Sequence, residues 1–339
     1  MVLLLRRMKP LCWLRVDDCL MKLRDLVLLM MPAVLACAAL RADEKRKLTD
    51  WLVDPVDAKR DRVVPLKLYV PTTDKPVPVV LFSHGLGGSR NNNGYLGRYW
   101  AEAGYVAVFI QHIGSDESVW KDAAPRERMA AMQAAASAKS TLDRYADVPF
   151  VLDQLEKWNV EEGNPLHGKM DLSKIGMSGH SFGAVTTQGM MGQRFPGDRT
   201  VSDSRLKAFV LFSPSSHRTG SPEAAFGQVT KPVLCMTGTK DVSGIEKGLD
   251  PLSRQLVYKA LPAGDKFQLV FENGEHHAFG DSARPGMGQQ AHHHPAIQKI
   301  STAFFDAYLK GDEKARVWLQ SATPKDELKL LPKDVWEWK

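Results

Sequence analysis

Short apolar runs alternate along this chain with longer amphipathic stretches. Runs rich in Val, Leu, Ile and Phe that are followed by Gly, Ser or Asn are typical of buried strands, and the stretches between them have helical periodicity. The predicted strands cover residues 77–82, 106–110, 175–178, 208–212, 233–237 and 267–271. The predicted helices cover residues 97–103, 140–158, 182–193 and 295–309.

Continuous apolar strands separated by helices favour a mostly parallel sheet that is covered by helices on both faces. The sequence therefore predicts an α/β fold. No repeat, low-complexity tract or linker divides residues 43–339, which we interpret as one domain. Residues 114–140 form a longer connection than two elements require. They are predicted to form either a small cap over a site or an extra pair of surface helices.

The net charge is carried mainly by the N-terminal segment. The 339 residues include 45 basic and 39 acidic ones, a formal charge of +6 that by itself suggests a nucleic acid or a membrane surface as partner. Seven of the basic and three of the acidic residues lie in residues 1–42. The rest of the chain is nearly balanced, so we expect no nucleic-acid partner.

Residues 21–42 have the layout of a secretory signal peptide. A short cationic start precedes an apolar run over residues 26–40, and small residues allow cleavage near Ala42. The run is shorter than the roughly 20 residues that span a bilayer, so we predict export, to the periplasm or beyond, and no stable membrane span. Residues 1–20 are broken by charges and fit no signal, and we expect translation to start at Met21.

Three of the four cysteines lie in this N-terminal segment, and one of them offers an alternative to simple secretion. Lipid attachment at Cys37, within Val34-Leu35-Ala36-Cys37, is the less favoured alternative. Cys235 stands in an apolar run and is predicted to be a buried small hydrophobic residue. The exported chain would then contain no internal disulfide.

The sequence predicts neither a cofactor nor a metal. It contains no Gly-rich phosphate loop and no dinucleotide fingerprint. The run His292-His293-His294 is a weak metal candidate, because consecutive helical residues face different directions and no carboxylate or cysteine spacing completes a coordination shell. We interpret this run as the approach to the helix after Pro295.

A candidate nucleophile lies in Gly179-His180-Ser181-Phe182-Gly183, which matches G-x-S-x-G. This pattern is typical of a sharp strand-to-helix turn that exposes a serine, and a predicted strand precedes it and a predicted helix follows it. Glycines are needed at the two flanking positions because side chains there would collide with neighbouring backbone. The sequence therefore predicts Ser181 as a catalytic nucleophile.

A serine hydroxyl needs a base, and the base needs an acid that orients it. Asp241 follows the predicted strand 233–237 at the carboxyl edge of the sheet, where sites in α/β sheets form. We favour it as the acid over a helix-capping role. The base is either His276 or His277, both just after the predicted strand 267–271, and the spacing alone does not choose between them.

Backbone N–H groups that stabilise a developing oxyanion are predicted at two places. Phe182, directly after the nucleophile, supplies one by the geometry of the turn. The loop Ser83-His84-Gly85-Leu86-Gly87-Gly88 follows an early strand and offers Leu86 as the second donor. A Gly-rich turn with a capping histidine is the structural alternative for this loop.

At this point the chain resembles the α/β-hydrolase superfamily, and within it the esterases similar to dienelactone hydrolases and platelet-activating-factor acetylhydrolases. The resemblance runs from about residue 63 to residue 309 and rests on the blocks at residues 80–88, 104–108 and 179–183. The order Ser181, Asp241, histidine is the one expected of an α/β hydrolase. In the family pattern, a glycine is followed by any two residues and then by the catalytic histidine, which implies His277 as the base.

Two departures narrow what the resemblance implies. Dienelactone hydrolases proper use a cysteine nucleophile, whereas this chain has Ser181. The animal acetylhydrolases carry their acid after the strand that follows the nucleophile helix, where this chain has Ser213. A serine cannot act as the acid, so Asp241 remains the candidate for this role. The resemblance therefore predicts neither dienelactone hydrolase activity nor acetylhydrolase activity.

The sequence as a whole predicts a serine hydrolase that cleaves carboxylic esters through an acyl-enzyme. The expected partner is a small-molecule or lipid-like ester, and nothing in the sequence indicates the oligomeric state. A lipid or polyester hydrolase and an acyltransferase are alternatives that use the same three residues. A non-catalytic binding protein on the same fold is the alternative from another class, since fold does not fix function.

Overall fold

The computed structural model describes residues 48–216, 220–245, 249–281 and 290–339. The signal peptide at residues 21–42, the start at Met21 and the lipid attachment site at Cys37 lie outside the described residues. The described residues form one compact unit.

The strands of the described residues are numbered in chain order. They are β1 (Leu48–Val53), β2 (Val56–Asp57), β3 (Arg62–Val63), β4 (Leu66–Pro71), β5 (Val77–Ser83), β6 (Val106–Ile110), β7 (Met170–His180), β8 (Leu206–Phe212), β9 (Val233–Lys240), β10 (Lys266–Glu275) and β11 (Val335–Trp338).

The α-helices are numbered in the same way. They are α1 (Gly94–Glu102), α2 (Ser118–Lys121), α3 (Arg128–Ala135), α4 (Ala138–Val160), α5 (Phe182–Met191), α6 (Pro222–Phe226), α7 (Pro251–Ala260), α8 (His293–Phe305), α9 (Glu313–Leu319) and α10 (Thr323–Glu327). A single 3₁₀ turn covers His276–Phe279, and a π-helical turn at Asp306–Lys310 continues α8.

Nine of these strands form one sheet in the order β1-β4-β6-β5-β7-β8-β9-β10-β11, and β2 pairs with β3 alone. The pairs from β6 through β5, β7, β8 and β9 to β10 are parallel. The outer strands β1, β4 and β11 pair antiparallel. This sheet confirms the predicted α/β-hydrolase fold class, and each of the six predicted strands lies within one of its central strands.

Two hydrophobic layers cover the two faces of the sheet. Successive side chains of a strand point to opposite faces, so Val79 and Leu81 of β5 belong to one layer and Val80 and Phe82 to the other. Helices α4, α5 and α7 complete the first layer, and α1 and α8 complete the second. Because both faces of the sheet are covered, we expect the functional residues in the loops at the strand ends.

Candidate active site

Ser181 stands on the sharp turn between β7 and α5. Its backbone has φ 56° and ψ −116°, a conformation that a side chain other than glycine adopts only under strain. A Cβ atom at Gly179 would overlap the backbone of Gly183, and one at Gly183 would overlap the carbonyl oxygen of Ser83. The two glycines therefore allow the tight turn that projects Ser181 from the carboxyl edge of the sheet.

His276 bridges Ser181 and Asp241. Its Nε2 lies 2.9 Å from Oγ of Ser181, and its Nδ1 lies 2.7 Å from Oδ1 of Asp241. An ionised carboxylate only accepts hydrogen bonds, so Nδ1 carries the proton and Nε2 accepts from the serine hydroxyl. This tautomer is the one that a general base for a serine requires.

The structure corrects the predicted position of the base from His277 to His276. The His277 side chain is exposed, whereas that of His276 points to Ser181. The register of β10 against β9 shifts between Phe271 and Glu275, and Asn273 there has φ 55°. This irregularity turns the chain so that His276, the first histidine after the strand, faces the nucleophile. The spacing between glycine and histidine in the family pattern does not show this turn.

Asp241 follows β9 directly and is fully buried. Besides His276, its carboxylate accepts a hydrogen bond from Thr237 Oγ1 at 2.8 Å. Burial alone raises the pKa of Asp241, but the hydrogen bond from His276 and the positive charge of Arg254 outweigh burial and lower this pKa below its ordinary value. The carboxylate is therefore ionised at neutral pH.

Arg254 of α7 is a buried cation that no sequence pattern singles out. Its Nε lies 2.8 Å from both Oδ1 and the carbonyl oxygen of Asp241, and Nη2 lies 3.4 Å from Nδ1 of His276. Nη1 donates to the carbonyl oxygens of Ser213 and Pro214. One side chain thus ties the acid to the loop after the neighbouring strand β8.

His180, the residue before the nucleophile, supports the base from the other side. Its ring lies 4.8 Å from that of His276, and Nε2 lies 3.1 Å from the carbonyl oxygen of His276. A carbonyl oxygen only accepts, so Nε2 of His180 carries the proton. Burial and the neighbouring His276 lower the pKa of His180 to about 3, so this ring is neutral and holds the His276 backbone as a hydrogen-bond donor.

Leu86 and Phe182, the predicted oxyanion donors, line the same cavity as Ser181. Within the described ranges, the backbone N–H of Leu86 donates to no protein acceptor. Phe182 is the first residue of α5, where backbone N–H groups have no partner inside the helix. Both groups are therefore available to an oxygen that lies above Ser181.

The cavity has a volume of about 1430 Å³. Residues 114–140 contribute α2 and α3 to its wall, so this segment is a helix pair that lies against the cavity. Trp120 Nε1 donates to the carbonyl oxygen of Gly87 at 2.7 Å, which connects the helix pair to the loop that carries Leu86. The apolar lining includes Trp120, Met129, Met132, Phe195, Val242 and Leu249.

Neither a metal site nor a membrane-spanning helix occurs among the described residues. No group of three or more His, Cys, Asp or Glu side chains is arranged to hold an ion there, and none of those helices is long and apolar enough to cross a bilayer. His292 contacts Asp334 at 3.0 Å, and His294 contacts the carbonyl oxygen of Gly280 at 2.9 Å. Cys235 is a buried free thiol.

Comparison with known proteins assigns the family. The sequence profile of the dienelactone hydrolase family matches residues 66–309, which is most of the chain and includes all the site residues described above. The chain belongs to the dienelactone hydrolase family. This assignment confirms the resemblance that the sequence motifs suggested, and the dienelactone hydrolase fold agrees with the sheet described above.

Two similar proteins are, by name, an acetylhydrolase and an esterase. Platelet-activating factor acetylhydrolase of Cavia porcellus is 22% identical over 305 residues, which cover 79% of this chain and 66% of that protein. The chain thus spans just under two thirds of that relative. The structure of a ferulic acid esterase from Streptomyces cinnamoneus matches with a TM-score of 0.56 and 20% identity, covering 79% of this chain and 92% of the other.

Proposed function

We propose that this protein hydrolyses carboxylic esters through an acyl-enzyme on Ser181. The observation that carries the proposal is the position of His276, within hydrogen-bond distance of both Ser181 and Asp241 at the wall of a large cavity. A serine hydroxyl reacts at neutral pH only when a base removes its proton. The family assignment and the two similar esterases support the same class of reaction.

In the first half of the reaction, Ser181 Oγ attacks the ester carbonyl carbon while its proton passes to Nε2 of His276. The carbonyl oxygen becomes an oxyanion that accepts hydrogen bonds from the N–H groups of Leu86 and Phe182. Asp241 stabilises the imidazolium that forms. The carbon–oxygen bond to the alcohol then breaks, and His276 gives its proton to the departing alcohol.

In the second half, water attacks the acyl-enzyme. His276 takes a proton from the water, and the same two N–H groups stabilise the second oxyanion. The bond between the acyl carbon and Ser181 Oγ breaks, the proton returns to Oγ, and the free acid leaves. No step requires a group beyond the side chains and backbone of this chain and one water molecule.

The cavity favours an ester with a bulky apolar part. Its volume of about 1430 Å³ exceeds the roughly 300–1,000 Å³ of ordinary small-molecule pockets. Trp120, Met132 and Phe195 are among its apolar lining residues.

The test is hydrolysis of p-nitrophenyl esters of increasing acyl length by the wild type and by Ser181→Ala. We expect the wild type to hydrolyse the series with kcat/KM higher for octanoate than for acetate, because buried methylenes contribute about 0.8 kcal/mol each. We expect Ser181→Ala to fold and to lose turnover by about 10³-fold or more. Ester turnover retained by Ser181→Ala would contradict the mechanism.

A fluorophosphonate probe separates this proposal from a non-catalytic binding protein. The probe forms a bond from phosphorus to an activated serine oxygen and releases fluoride. We expect stoichiometric labelling of Ser181 in the wild type. An unlabelled, folded wild type would favour the binding protein.

A further inference from the structure

Beneath the loop of residues 84–88, called the oxyanion loop below, lies a second Ser–His–Asp chain. Ser83 Oγ lies 2.9 Å from Nε2 of His112, and Nδ1 of His112 lies 2.9 Å from Oδ2 of Asp147. All three side chains are fully buried. Neither water nor an ester reaches the Ser83 hydroxyl, so this chain of contacts is not a second active site.

The hydrogen bonds of this buried chain have a defined direction. Burial alone raises the pKa of Asp147, but hydrogen bonds from His112 and Arg62 outweigh burial and lower it, so the carboxylate is ionised. Nδ1 of His112 therefore donates to Asp147, and Nε2 accepts from Ser83. Burial and the charge of Arg144 lower the pKa of His112 to about 4, which keeps its ring neutral.

Arg144 of α4 connects this buried Ser–His–Asp chain to both proposed oxyanion donors. Its side chain is fully buried, Nη1 donates to the carbonyl oxygen of His84 at 2.8 Å, and Nε donates to Oγ of Ser115 at 2.8 Å. The guanidinium carbon lies 4.2 Å from the centroid of the Phe182 ring. One cation thus contacts the loop that carries Leu86 and the residue that carries the other N–H group.

The His84 ring transmits this contact to the peptide that contains the Leu86 N–H. Nε2 of His84 accepts from the backbone N–H of His112 at 3.0 Å, so Nδ1 carries the proton and donates to the carbonyl oxygen of Gly85 at 2.6 Å. That oxygen and the Leu86 N–H belong to one planar peptide unit. Fixing the oxygen therefore fixes the direction of the N–H group.

Two further contacts complete the support of the loop. The N–H of Gly88 also donates to the Gly85 carbonyl oxygen, at 3.1 Å, and Arg144 holds the preceding carbonyl of His84. Burial and the charge of Arg144 lower the pKa of His84 well below its ordinary value, so the ring keeps the neutral tautomer that this arrangement needs. The carbonyl oxygens of His84 and Gly85, which belong to adjacent peptide units of the oxyanion loop, are thus both fixed by hydrogen bonds.

We infer that Arg144 is a positioning residue, which acts through His84 to aim the Leu86 N–H at the oxyanion. This inference rests on the proposed ester hydrolysis. Arg144 touches neither Ser181 nor the reacting atoms, so we expect it to act on the two steps in which an oxyanion forms. Interactions made only in the transition state alter kcat and leave KM nearly unchanged.

The experiment compares Arg144→Met with the wild type in p-nitrophenyl ester hydrolysis and in the binding of phenylboronic acid. This acid forms a reversible tetrahedral adduct with an activated serine and presents an oxygen to the oxyanion donors. We expect kcat to fall by about tenfold or more, short of the roughly 10²–10³-fold effect of deleting an oxyanion donor, with KM within about twofold. We expect affinity for phenylboronic acid to fall in proportion to kcat.

A second variant keeps the test decisive if Arg144→Met does not fold. Ser115→Ala removes the hydroxyl that accepts from Arg144 Nε and donates to the carbonyl oxygen of His112, and we expect a smaller decrease of kcat and boronate affinity in the same direction. Arg205→Met is the matched control, because Arg205 binds Asp203 and Asp153 away from the cavity. We expect Arg205→Met to leave both quantities unchanged.

Unchanged kcat and unchanged boronate affinity in folded Arg144→Met, or in folded Ser115→Ala if only that variant folds, overturn the inference. A fall in thermal stability without a change in either quantity overturns it too, since that is the signature of a purely structural arginine. Failure of the wild type itself to turn over esters contradicts the proposed function instead, so the two failures are distinguishable.

Discussion

At the residue scale, a buried cation lies beside the acid of the Ser181–His276–Asp241 arrangement. Arg254 is 1% exposed and contacts both the carboxylate and the backbone of Asp241. A buried carboxylate without compensation takes up a proton more readily than one in water. The hydrogen bond from His276 and the charge of Arg254 reverse that tendency and lower the pKa of Asp241 below its ordinary value.

We expect Arg254 to influence the acid limb of the proposed activity through Asp241. The proposed reaction needs both an ionised Asp241 and an unprotonated Nε2 on His276, so it is lost at low pH when either group takes up a proton. In Arg254→Gln the positive charge is gone and burial raises the pKa of Asp241, so we expect the acid limb of the kcat/KM profile to move to higher pH. Arg254→Lys keeps the charge, and its acid limb should stay near that of the wild type.

The measurement is kcat/KM for p-nitrophenyl acetate between pH 4 and pH 8. Arg316→Gln serves as the control, since Arg316 pairs with Glu313 on the surface helix α9. An acid limb that stays in place in folded Arg254→Gln would argue against an electrostatic role for Arg254.

The candidate catalytic residues at the strand ends were more predictable from the sequence than the buried residues that hold them in position. Ser181 and Asp241 each follow a recognisable apolar strand, so their neighbourhood was predictable. The choice between His276 and His277 depends on an irregularity of β10 that no spacing rule contains. Arg254 and Arg144 lie within helices, where no local pattern distinguishes a buried arginine from a solvated one.

At the scale of elements, the helix pair α2 and α3 is attached to the oxyanion loop. Trp120 Nε1 donates to the Gly87 carbonyl oxygen, and the backbone N–H of Glu117 donates to the Gly88 carbonyl oxygen at 2.8 Å. The guanidinium of Arg128 lies 5.5 Å from the Trp120 ring centroid. The wall of the cavity and the loop that carries Leu86 are thus one connected piece.

We expect Trp120→Phe to lower kcat/KM for p-nitrophenyl esters by roughly fivefold, because a hydrogen bond of about 1 kcal/mol to the loop is lost while the ring is kept. Thermal stability should change little. Trp318→Phe is the matched control, since it removes an exposed hydrogen bond from Trp318 Nε1 to Glu327. Equal activity of the two variants would show that the Trp120 contact does not support the loop.

The central elements of the fold were predictable because buried parallel strands are continuous apolar runs. The outer strands were not, and β1 shows why. Its residues Leu48–Val53 are a mixture of half-buried and exposed positions, and apolar and polar side chains are mixed within these six residues. At the other edge, β11 has only four residues, Val335–Trp338, none of them fully buried. Edge strands of this kind resemble loops in the sequence.

At the scale of the whole molecule, the parallel order of the sheet assembles the site. Strands β5, β7, β8, β9 and β10 are consecutive neighbours, so their carboxyl ends share one edge. Residues far apart in the chain, Ser181, Asp241 and His276, meet there because each directly follows one of these strands. The proximity of these three residues follows from the topology of the sheet alone.

We also propose that the protein is exported after removal of residues 21–42, on the basis of the sequence pattern of that segment. N-terminal sequencing of the processed protein should then find a first residue near Asp43. A protein recovered with residues 1–20 intact would contradict both the start at Met21 and the cleavage.

The most direct test of the central claim is the ester hydrolysis of His276→Ala and His277→Ala, measured side by side as kcat/KM for p-nitrophenyl acetate. His276 contacts Ser181 and Asp241, whereas His277 is exposed one position further along the chain. We expect a loss of about 10³-fold or more in His276→Ala and a change within about twofold in His277→Ala. The reverse result, with activity retained by His276→Ala and lost by His277→Ala, would contradict that claim.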